Sequence, residues 1–228
     1  MARTGRPRGF DKDEAVRQAM HLFWEHGYEA TSLAQLKTAM GGISAASFYA
    51  AFASKEALFR EVMDHYLATH GRVTAPLHDP ALPPREAIER ALRGSARMQT
   101  DQAHPLGCLV VASTSTCSPE NRHLQALLAQ VRDRNRVGLL ARVERAVVAG
   151  DLPRDADTAA LAAMFDTVLV GLTTQARDHV PLALLEAAVS QVMLVWDGLA
   201  ALRSRSQGAS CQPERKQPTM ALAKSALA

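Results

Sequence analysis

Hydrophobic residues recur at intervals of three and four along most of the chain, which is the spacing of amphipathic helices. Near the start, Ala15, Ala19 and Leu22 form one such stripe. Asp11 precedes the stripe with a glutamate three residues later, a pattern typical of a helix N-cap. Gly27 follows where a helix end favours a left-handed residue. The pattern therefore predicts a first helix between Asp11 and Gly27.

Two short helices are predicted next, on either side of the pair Gly41-Gly42. Ser32 and Gln35 have the spacing of a capping box, so a helix of about nine residues should start there and stop at the glycines. A third helix is predicted over residues 44–51. The first three helices thus form a compact group before residue 52.

Proline then divides the chain. Ser54 is expected to cap a fourth helix that runs to about residue 73. Residues 75–84 contain four prolines, so they are predicted to form a linker or an extended loop. Helical spacing returns beyond this segment, and the expected helices span 85–100, 119–149, 155–179 and 181–203.

No segment shows convincing strand alternation. The nearest candidate is the apolar run 108–112, but an isolated strand has nothing to pair with. Residues 204–228 are rich in Ser, Gln, Pro and small residues, and they are predicted to be disordered. The sequence therefore predicts an all-α fold.

Charge and composition narrow the classes of partner. The 228 residues are 47% hydrophobic and 21% charged, as in ordinary folded proteins. The formal charge of +3 arises entirely after Arg203, because 22 basic and 22 acidic residues balance up to that point. Arg3, Arg6 and Arg8 form a basic start that contains no acidic residue. No long apolar run or signal-peptide pattern occurs, so no membrane partner is expected and a cytoplasmic location is predicted.

The cysteine pattern does not predict a disulfide framework or a zinc site. Cys108, Cys117 and Cys211 are odd in number and widely spaced, without a CxxC pair. Reduced structural thiols are the simpler interpretation, and no metal or cofactor is expected. Redox sensing by Cys117, or redox or electrophile sensing by Cys108, stays open as an alternative, although no neighbouring charge in the sequence would activate Cys108.

A long helix followed by two short ones around a glycine turn matches the helix-turn-helix arrangement, whose second short helix enters the major groove of DNA. Glycine turns also join helices in many proteins that bind no DNA. Two spaced motifs are more specific, and they read GYxxTSL from Gly27 and YxxFxxKExLF from Tyr49. With the arginines before the first helix, they make residues 9–62 resemble the tetracycline-repressor (TetR) family of transcription regulators.

The resemblance implies a domain organisation and a function. A helix-turn-helix DNA-binding domain with a basic arm would span 1–58, a helical effector-binding and dimerisation domain 59–203, and the tail 204–228. The implied protein is a ligand-responsive repressor. It would bind a near-palindromic double-stranded DNA operator as a homodimer and be released by an unknown small-molecule effector.

The resemblance also implies which residues contact DNA phosphates. Tyr49 would contact one phosphate, and Lys55 another at the start of the fourth helix, where unpaired amides add to its charge. Thr31 and Ser32 are candidates for the same role, although helix capping explains them equally.

The predicted recognition helix offers few groups that read bases. The residues predicted to face the bases are Ser44 at the start of the helix, Ala45, Ala46, Ser47 and Ala50. None can form the bidentate hydrogen bonds by which arginine reads guanine or asparagine reads adenine. Specificity must therefore be shared with other elements.

Two groups of residues are candidates to share the readout. Gln35 and Lys37 lie on the second helix, and Arg3, Arg6 and Arg8 are placed to enter an adjacent minor groove. A disordered, nonspecifically basic start explains the arm equally well.

Two features frame the recognition helix. Phe48 and Phe52 are predicted to pack inward on the first helix. The pair Gly41-Gly42 is one residue longer than the single glycine of most relatives, which leaves individual base contacts open by one position. The spacing of Tyr49 and Lys55 is unchanged by the extra glycine.

The last two long helices are the expected dimer elements, and their apolar stripes suit such packing. The alternative is that these stripes face the protomer's own core. The candidate interface residues are Leu161, Phe165, Val168, Leu172, Leu185, Val192, Trp196 and Leu199.

The resemblance places an effector between the fourth and seventh helices. Methionine and aromatic residues at helical spacing are also common core residues, so plain packing stays an alternative. The candidate pocket residues are Met63, Tyr66, His70, Met98, Cys108, His123 and Leu127.

Two other classes of protein compete with this interpretation. The sequence has no P-loop, dinucleotide-binding glycine motif, nucleophile elbow or HExxH motif, so no catalytic residues are expected and a small helical enzyme is disfavoured. A helical protein-interaction module that binds no DNA is the other alternative, and the salt dependence of binding distinguishes it.

Overall fold

The computed structural model of the protein describes residues 11–113 and 118–209, with the backbone alone for 204–209. Within these ranges the chain forms α-helices and two 3-10 segments and no strand, which confirms the all-α prediction. The 3-10 segments are His70–His78 and Pro119–Asn121. The α-helices are α1 Lys12–Ala30, α2 Leu33–Ala39, α3 Ala45–Phe52, α4 Lys55–Ala68, α5 Pro84–Thr100, α6 Leu109–Ala112, α7 Arg122–Ala149, α8 Thr158–Arg177 and α9 Leu182–Ala209.

Local signals place the first helices as predicted. The Asp11 carboxylate accepts the Glu14 amide at 3.0 Å and caps α1. Gly27 has a φ of 80° and interrupts α1 before its last turn. Ser32 and Gln35 form the predicted capping box of α2. Such caps satisfy amides that the helix itself leaves unpaired.

The proline-rich segment differs from its prediction. The fourth helix ends at Ala68 rather than near residue 73, and a 3-10 helix over His70–His78 continues with Pro76 inside it. The buried guanidinium of Arg142, on α7, donates to the carbonyls of Leu77 at 2.9 Å and Leu82 at 3.1 Å. Hydrogen bonds from a distant helix thus order a segment whose composition alone predicts a loop.

Two other elements also differ from their predictions. The apolar run 108–112, the nearest strand candidate, forms the short helix α6 over Leu109–Ala112, with Cys108 at its N-cap position. Helix α9 continues to Ala209, so the first six residues of the predicted disordered tail are helical. The rest of that tail, including Cys211, lies outside the described residues, as does Cys117.

Two main hydrophobic clusters organise the protomer. The first joins α1–α4 to α6 and to the start of α7, where Leu124 and Leu128 are fully buried. The second lies among α5, α7, α8 and α9 around Phe165 and Trp196. Leu58 and Val62 of α4 belong to the first cluster, so α4 packs with α1, α2 and α3.

Candidate nucleic-acid interface and effector cavity

Helix α3 divides into an aromatic inner face and a small outer face. Phe48 and Phe52 are 0% and 2% exposed, which confirms that they pack inward. The outer residues are all exposed, and they are Ala45, Ala46, Ser47 and Ala50. Inner aromatic packing fixes the helix, and small outer side chains let its backbone approach a groove closely.

The start of α3 depends on its serines. Ser44 caps the helix by accepting the Ser47 amide at 3.0 Å, and the two hydroxyls lie 3.0 Å apart. Gly41 and Gly42 precede them with φ values of 85° and 75°. Both glycines of the longer turn thus have a positive φ, which residues other than glycine adopt at a cost in free energy.

Tyr49 and Lys55 lie on either side of the turn from α3 to α4. The Tyr49 side chain is 52% exposed, so its hydroxyl is accessible. The Lys55 ammonium lies 4.3 Å from the centre of the Tyr28 ring, and burial lowers the pKa of Lys55 against the opposing effect of Glu29. Lys55 is the first residue of α4. A cation–π contact with the Tyr28 ring helps to fix the position of its ammonium group.

The remaining sequence candidates differ in accessibility. Ser32 and Gln35 are exposed, but each is engaged in the capping box, where the Ser32 amide donates to the Gln35 side chain at 2.7 Å. Lys37 is half-buried. Thr31 is fully buried, and its hydroxyl donates to the Gly27 carbonyl at 2.7 Å. The prediction that Thr31 contacts a phosphate is contradicted by this burial.

The arginines of the predicted basic arm, Arg3, Arg6 and Arg8, lie outside the described residues. Within the described residues, no cluster of histidine, cysteine and carboxylate side chains is arranged to hold a metal ion.

A cavity of about 210 Å³ lies among the helices α4, α5, α6, α7 and α8 and the 3-10 segment His70–His78. Apolar side chains from all five helices form much of its wall, among them Leu67, Met98, Val110, Val131 and Leu169. Pockets of this kind, largely apolar with a few polar groups, are typical binding sites for small molecules.

Three of the seven predicted pocket residues line this cavity, namely Tyr66, Met98 and Cys108. The Tyr66 hydroxyl donates to the Cys108 sulfur at 3.3 Å. Burial, and Cys108 beside it, raise the pKa of Tyr66 well above its ordinary value of 10. The tyrosine is therefore a neutral hydrogen-bond donor throughout the physiological range.

The other four pocket predictions are wrong. Met63 is buried in the first cluster, and His70 packs edge-on against Trp24 with ring centres 5.1 Å apart. His123 lies at the surface, 2.9 Å from a carboxylate oxygen of Glu56. Leu127 does not line the cavity either. Helical spacing did not show which residues of α4 and α7 face the cavity, since these residues have other partners.

Several polar residues of the cavity wall were missed by the sequence analysis. Arg72, Arg132 and Arg134 line it together with Asp166. Gln99 lines it as well and accepts the Thr173 hydroxyl at 2.8 Å. These residues come from four segments far apart in sequence, so only the assembled fold brings them together.

The cavity wall is connected to α1 through aromatic contacts. Tyr66 packs edge-on against Trp24, with ring centres 4.9 Å apart. The indole N–H of Trp24 donates to the carbonyl of Gly107 at 3.2 Å, next to Cys108 in the cavity wall. His104 stacks on the same indole at 4.4 Å. The Trp24 side chain of α1 thus contacts both Tyr66 of the cavity wall and the backbone carbonyl that precedes Cys108.

A second connection joins the two halves at the start of α7. The Glu29 carboxylate accepts the Ser118 amide at 2.9 Å and the Asn121 side-chain amide at 2.5 Å. These hydrogen bonds lower the pKa of Glu29. The His123 ring lies against Glu56 of α4 nearby. The start of α7 is thus tied to α1 and α4 by carboxylates.

The predicted dimer residues face the protomer's own core. Five of them are buried, and they are Leu161, Phe165, Leu172, Leu185 and Trp196. Val168, Val192 and Leu199 are half-buried and pack against the second cluster. The predicted stripes contain the strongest hydrophobic positions, which the protomer itself buries, so these five residues are wrong as interface residues.

Other faces of α8 and α9 remain exposed. On α9, Leu184, Leu194 and Leu202 are 60%, 56% and 59% exposed. On α8, the exposed residues recur as Ala160, Ala163, Thr167 and Gly171. The two helices are apolar and long enough for a membrane span by composition, but the core helices of folded proteins pass the same test, and both pack into this protomer. Exposed apolar stripes of this length are typical of protein interfaces.

Comparisons with known proteins agree with this geometry. Residues 15–62 match the family of bacterial regulatory proteins, tetR family, and residues 84–192 match a tetracyclin repressor-like C-terminal domain. The HTH-type transcriptional repressor ComR of Escherichia coli (strain K12) is 32% identical over 199 residues, which cover 86% of this chain and 93% of ComR.

Solved structures extend the comparison. A cysteine mutant of the TetR family transcriptional regulator CifR, complexed with 26-bp double-strand operator DNA, is 42% identical with a TM-score of 0.76. The match covers 84% of this chain and all of that one. A putative TetR transcriptional regulator from Rhodococcus sp. RHA1 is 34% identical with a TM-score of 0.54, and the match covers 79% of this chain and 96% of that one.

Proposed function

This chain belongs to the TetR family of bacterial regulatory proteins and is a DNA-binding transcription regulator; we propose that it is a homodimeric repressor released from its operator by a small molecule. The observation that carries the proposal is the outer face of α3, small and exposed between Ser44 and Tyr49. CifR, whose fold this chain shares, is complexed with operator DNA in its structure.

In the proposed complex, α3 enters the major groove with Ala45, Ala46, Ser47 and Ala50 toward the bases. The alanine methyl groups suit contact with thymine methyls, and the Ser47 hydroxyl can bond to several base edges. Contacts of this kind specify bases weakly. Gln35, Lys37 and the arginines of the basic arm are proposed to supply further specificity.

Phosphate contacts then fix the position of α3 in the groove. The accessible Tyr49 hydroxyl and the Lys55 ammonium lie on either side of the turn that ends α3, so they are placed for phosphates that flank the groove. Ser32 and Ser44 cap the helices that would approach the backbone. Such contacts are independent of sequence, so losing one should weaken binding to all DNA alike.

We propose that two protomers pair through the exposed stripes of α8 and α9. A protomer with several exposed leucines on one helix gains free energy by covering them. The pair would present two α3 helices to half-sites about 34–36 Å apart. A near-palindromic operator follows from that symmetry.

Release of DNA requires that the effector bind one arrangement of the protomer better than another. The cavity meets α1 through Tyr66 and Trp24, and Trp24 belongs to the same cluster as Phe48 of α3. An occupant that displaces Tyr66 therefore repositions α1 and, through the shared core, α3. We propose this route as the means of effector control.

The relatives are transcription regulators rather than enzymes, and we propose that this chain has no catalytic activity. Within residues 11–113 and 118–209, the Tyr66 hydroxyl donates to the Cys108 sulfur rather than to a histidine or a carboxylate that would act as a base. A location in the cytoplasm with the nucleoid follows from the proposed function.

A gel shift with the promoter DNA beside the protein's own gene tests the proposal. Lys55→Ala should reduce the slope of log affinity against log salt by about 0.9, because one phosphate contact is lost. Arg154→Ala, an exposed change beyond α7, is the matched control and should leave the slope unchanged. Absence of any sequence-preferring complex from a folded dimer would contradict the proposal.

Substitutions of Tyr49 and Ser47 distinguish a phosphate contact from a base contact. Tyr49→Ala should weaken binding to all sequences about equally, whereas Ser47→Ala should change the preference at one operator position. A set of operators with single base changes measures both effects. The reverse result would reassign the two residues.

A further inference from the structure

The charged residues of the cavity wall are strongly unbalanced in sign. Arg72, Arg132 and Arg134 line it, whereas Asp166 is the one carboxylate among its described lining residues. The Asp166 carboxylate accepts the Arg136 guanidinium at 3.1 Å and also attracts Arg132, so its single charge does not balance the three arginines that line the wall. The wall as a whole is therefore positive.

Two groups of the cavity wall have pKa values that are lowered by burial and by nearby arginines. Burial is the main cause that lowers the pKa of Arg132, and Arg136 adds to it, while Cys108 and Asp166 oppose the shift. His78, which also lines the cavity, has its pKa lowered by burial and by Arg142 and Arg134. At neutral pH this histidine is therefore uncharged. A cationic guest would meet the same repulsion.

Buried hydrogen-bond donors face the same space. Gln99 is 3% exposed, and its carbonyl oxygen accepts from Thr173. Because this oxygen is already used within the protein and Gln99 lines the cavity, the NH₂ group is the part of its side chain left to bond a ligand. A buried amide of this kind offers its donors to a ligand oxygen.

The size of the cavity limits the guest. Its volume of about 210 Å³ is below the range of about 300–1,000 Å³ that is typical of sites for drug-sized ligands. Apolar side chains such as Met98, Val110 and Leu169 form much of the wall. A compact guest with an apolar body fits both the volume and the lining.

We infer that the effector of this protein is a compact amphipathic organic anion, whose apolar body fills the cavity and whose acidic oxygens meet Arg132, Arg134 and Gln99. The inference rests on the proposed function, since it names the class of molecule that would release DNA. The chemical class of the ligand is inferred from the residues of the cavity wall alone.

Three probes of equal length test the inference: octanoate, octanamide and octylamine. Calorimetry on the full chain without DNA should show octanoate binding at least tenfold more tightly than octanamide, and octylamine binding more weakly still. Arg132→Gln should lower octanoate affinity at least tenfold and leave octanamide affinity unchanged, whereas Arg132→Lys should retain the preference for the anion.

A second wall variant and a control variant distinguish a lost ligand contact from misfolding. Arg134→Gln changes an exposed position of the wall and should also reduce the preference for octanoate. Arg122→Gln, an exposed arginine on α7 that does not line the cavity, should leave it unchanged. Melting temperatures verify that each variant is folded. Equal or tighter binding of octanamide or octylamine, or no binding of any probe in the millimolar range, overturns the inference.

A gel shift separates this inference from the proposed function. Octanoate that binds and releases operator DNA supports both. Octanoate that binds with the expected selectivity but leaves DNA bound supports the ligand class and contradicts effector control at this cavity. Release of DNA by the amide or the amine, without release by octanoate, overturns the ligand class and leaves effector control standing.

Discussion

The indole N–H of Trp24 donates to the carbonyl of Gly107 at 3.2 Å, across 83 residues of sequence. Trp24 is on α1 of the DNA-reading motif, and Gly107 precedes Cys108 in the cavity wall. Tyr66 and His104 pack on the same indole ring. One buried side chain of α1 thus contacts the wall of the proposed effector site, and α1 shares a hydrophobic cluster with α3.

Replacing Trp24 by phenylalanine should test this connection. Trp24→Phe keeps an aromatic ring but leaves the Gly107 carbonyl without its donor, so the free energy of unfolding should fall by about 1–3 kcal/mol. Urea unfolding measures it. Any ligand that releases DNA from the parent should release the variant less completely. Trp196→Phe, in the second cluster, should lower stability without this loss, and equal release from Trp24→Phe and the parent would contradict the connection.

Substitutions in the two turns on either side of α3 should change the free energy of unfolding in opposite directions. Gly41 has a φ of 85°, so Gly41→Ala should lower the free energy of unfolding by about 1 kcal/mol even though no atom obstructs a methyl group there. Ala53 ends α3 with a φ of 60°, so Ala53→Gly should raise stability or leave it unchanged. Thermal unfolding measures both variants.

Gly94→Ala is the control for these turn variants. Gly94 is inside α5, and its added methyl group would meet Val73 at an ordinary contact distance of 3.5 Å. Alanine favours a helix over glycine by about 1 kcal/mol, so this variant should be at least as stable as the parent. A loss at Gly94 as large as that at Gly41 would show that the backbone conformation of the turn is not the cause.

Charge on α9 should break the proposed dimer. Leu194→Glu and Leu202→Glu place carboxylates on the exposed leucine stripe, where pairing would bury them without partners. Sedimentation should show monomers, and operator affinity should fall at least tenfold because two α3 helices no longer bind together. Val148→Glu, at an 89% exposed position of α7, is the matched control. Intact dimers of both leucine variants would exclude this interface.

The histidines beside Trp24 predict a pH dependence of stability. Burial is the main cause that lowers the pKa of His70, followed by His104, His21 and His65, while Asp101 opposes them. As pH falls below the ordinary value of 6.5, the unfolded chain takes up this proton before the folded chain does. Stability present above pH 6.5 is therefore lost progressively below it.

His70→Gln measures that loss directly. The fall in melting temperature between pH 7.5 and pH 5.5 should be smaller in the variant than in the parent. His26→Gln, at an exposed position of α1, should retain the parent's pH dependence. An identical pH dependence of His70→Gln and the parent would assign the effect to other groups.

Local chemistry explains which elements could be predicted. The caps at Asp11 and Ser32 depend on residues three positions apart, and Gly41 acts through its own φ. Inward packing of Phe48 and Phe52 follows from helical periodicity. Such features are written within a few residues of sequence, so they identify the DNA-reading motif without the fold.

The features that were missed depend on distant partners. The 3-10 segment after α4 is held by Arg142, more than 60 residues away. The cavity receives Gln99 and Asp166 from helices that meet only in the folded chain. The strongest apolar positions of α8 and α9 were assigned to a partner protomer, whereas Phe165 and Trp196 fill the protomer's own core. Periodicity shows that a helix has an apolar face but not which neighbour covers it.

The division of α3 into an aromatic inner face and an alanine outer face has an evolutionary consequence. The residues that hold the helix in place and the residues that we propose to meet DNA are different ones. In the proposed complex, exchanging Ala46 or Ala50 for asparagine or arginine would place a group that can read a base edge at an exposed position and leave the packing of Phe48 and Phe52 intact. Operator preference can therefore drift, or be redesigned, one exposed alanine at a time and independently of folding.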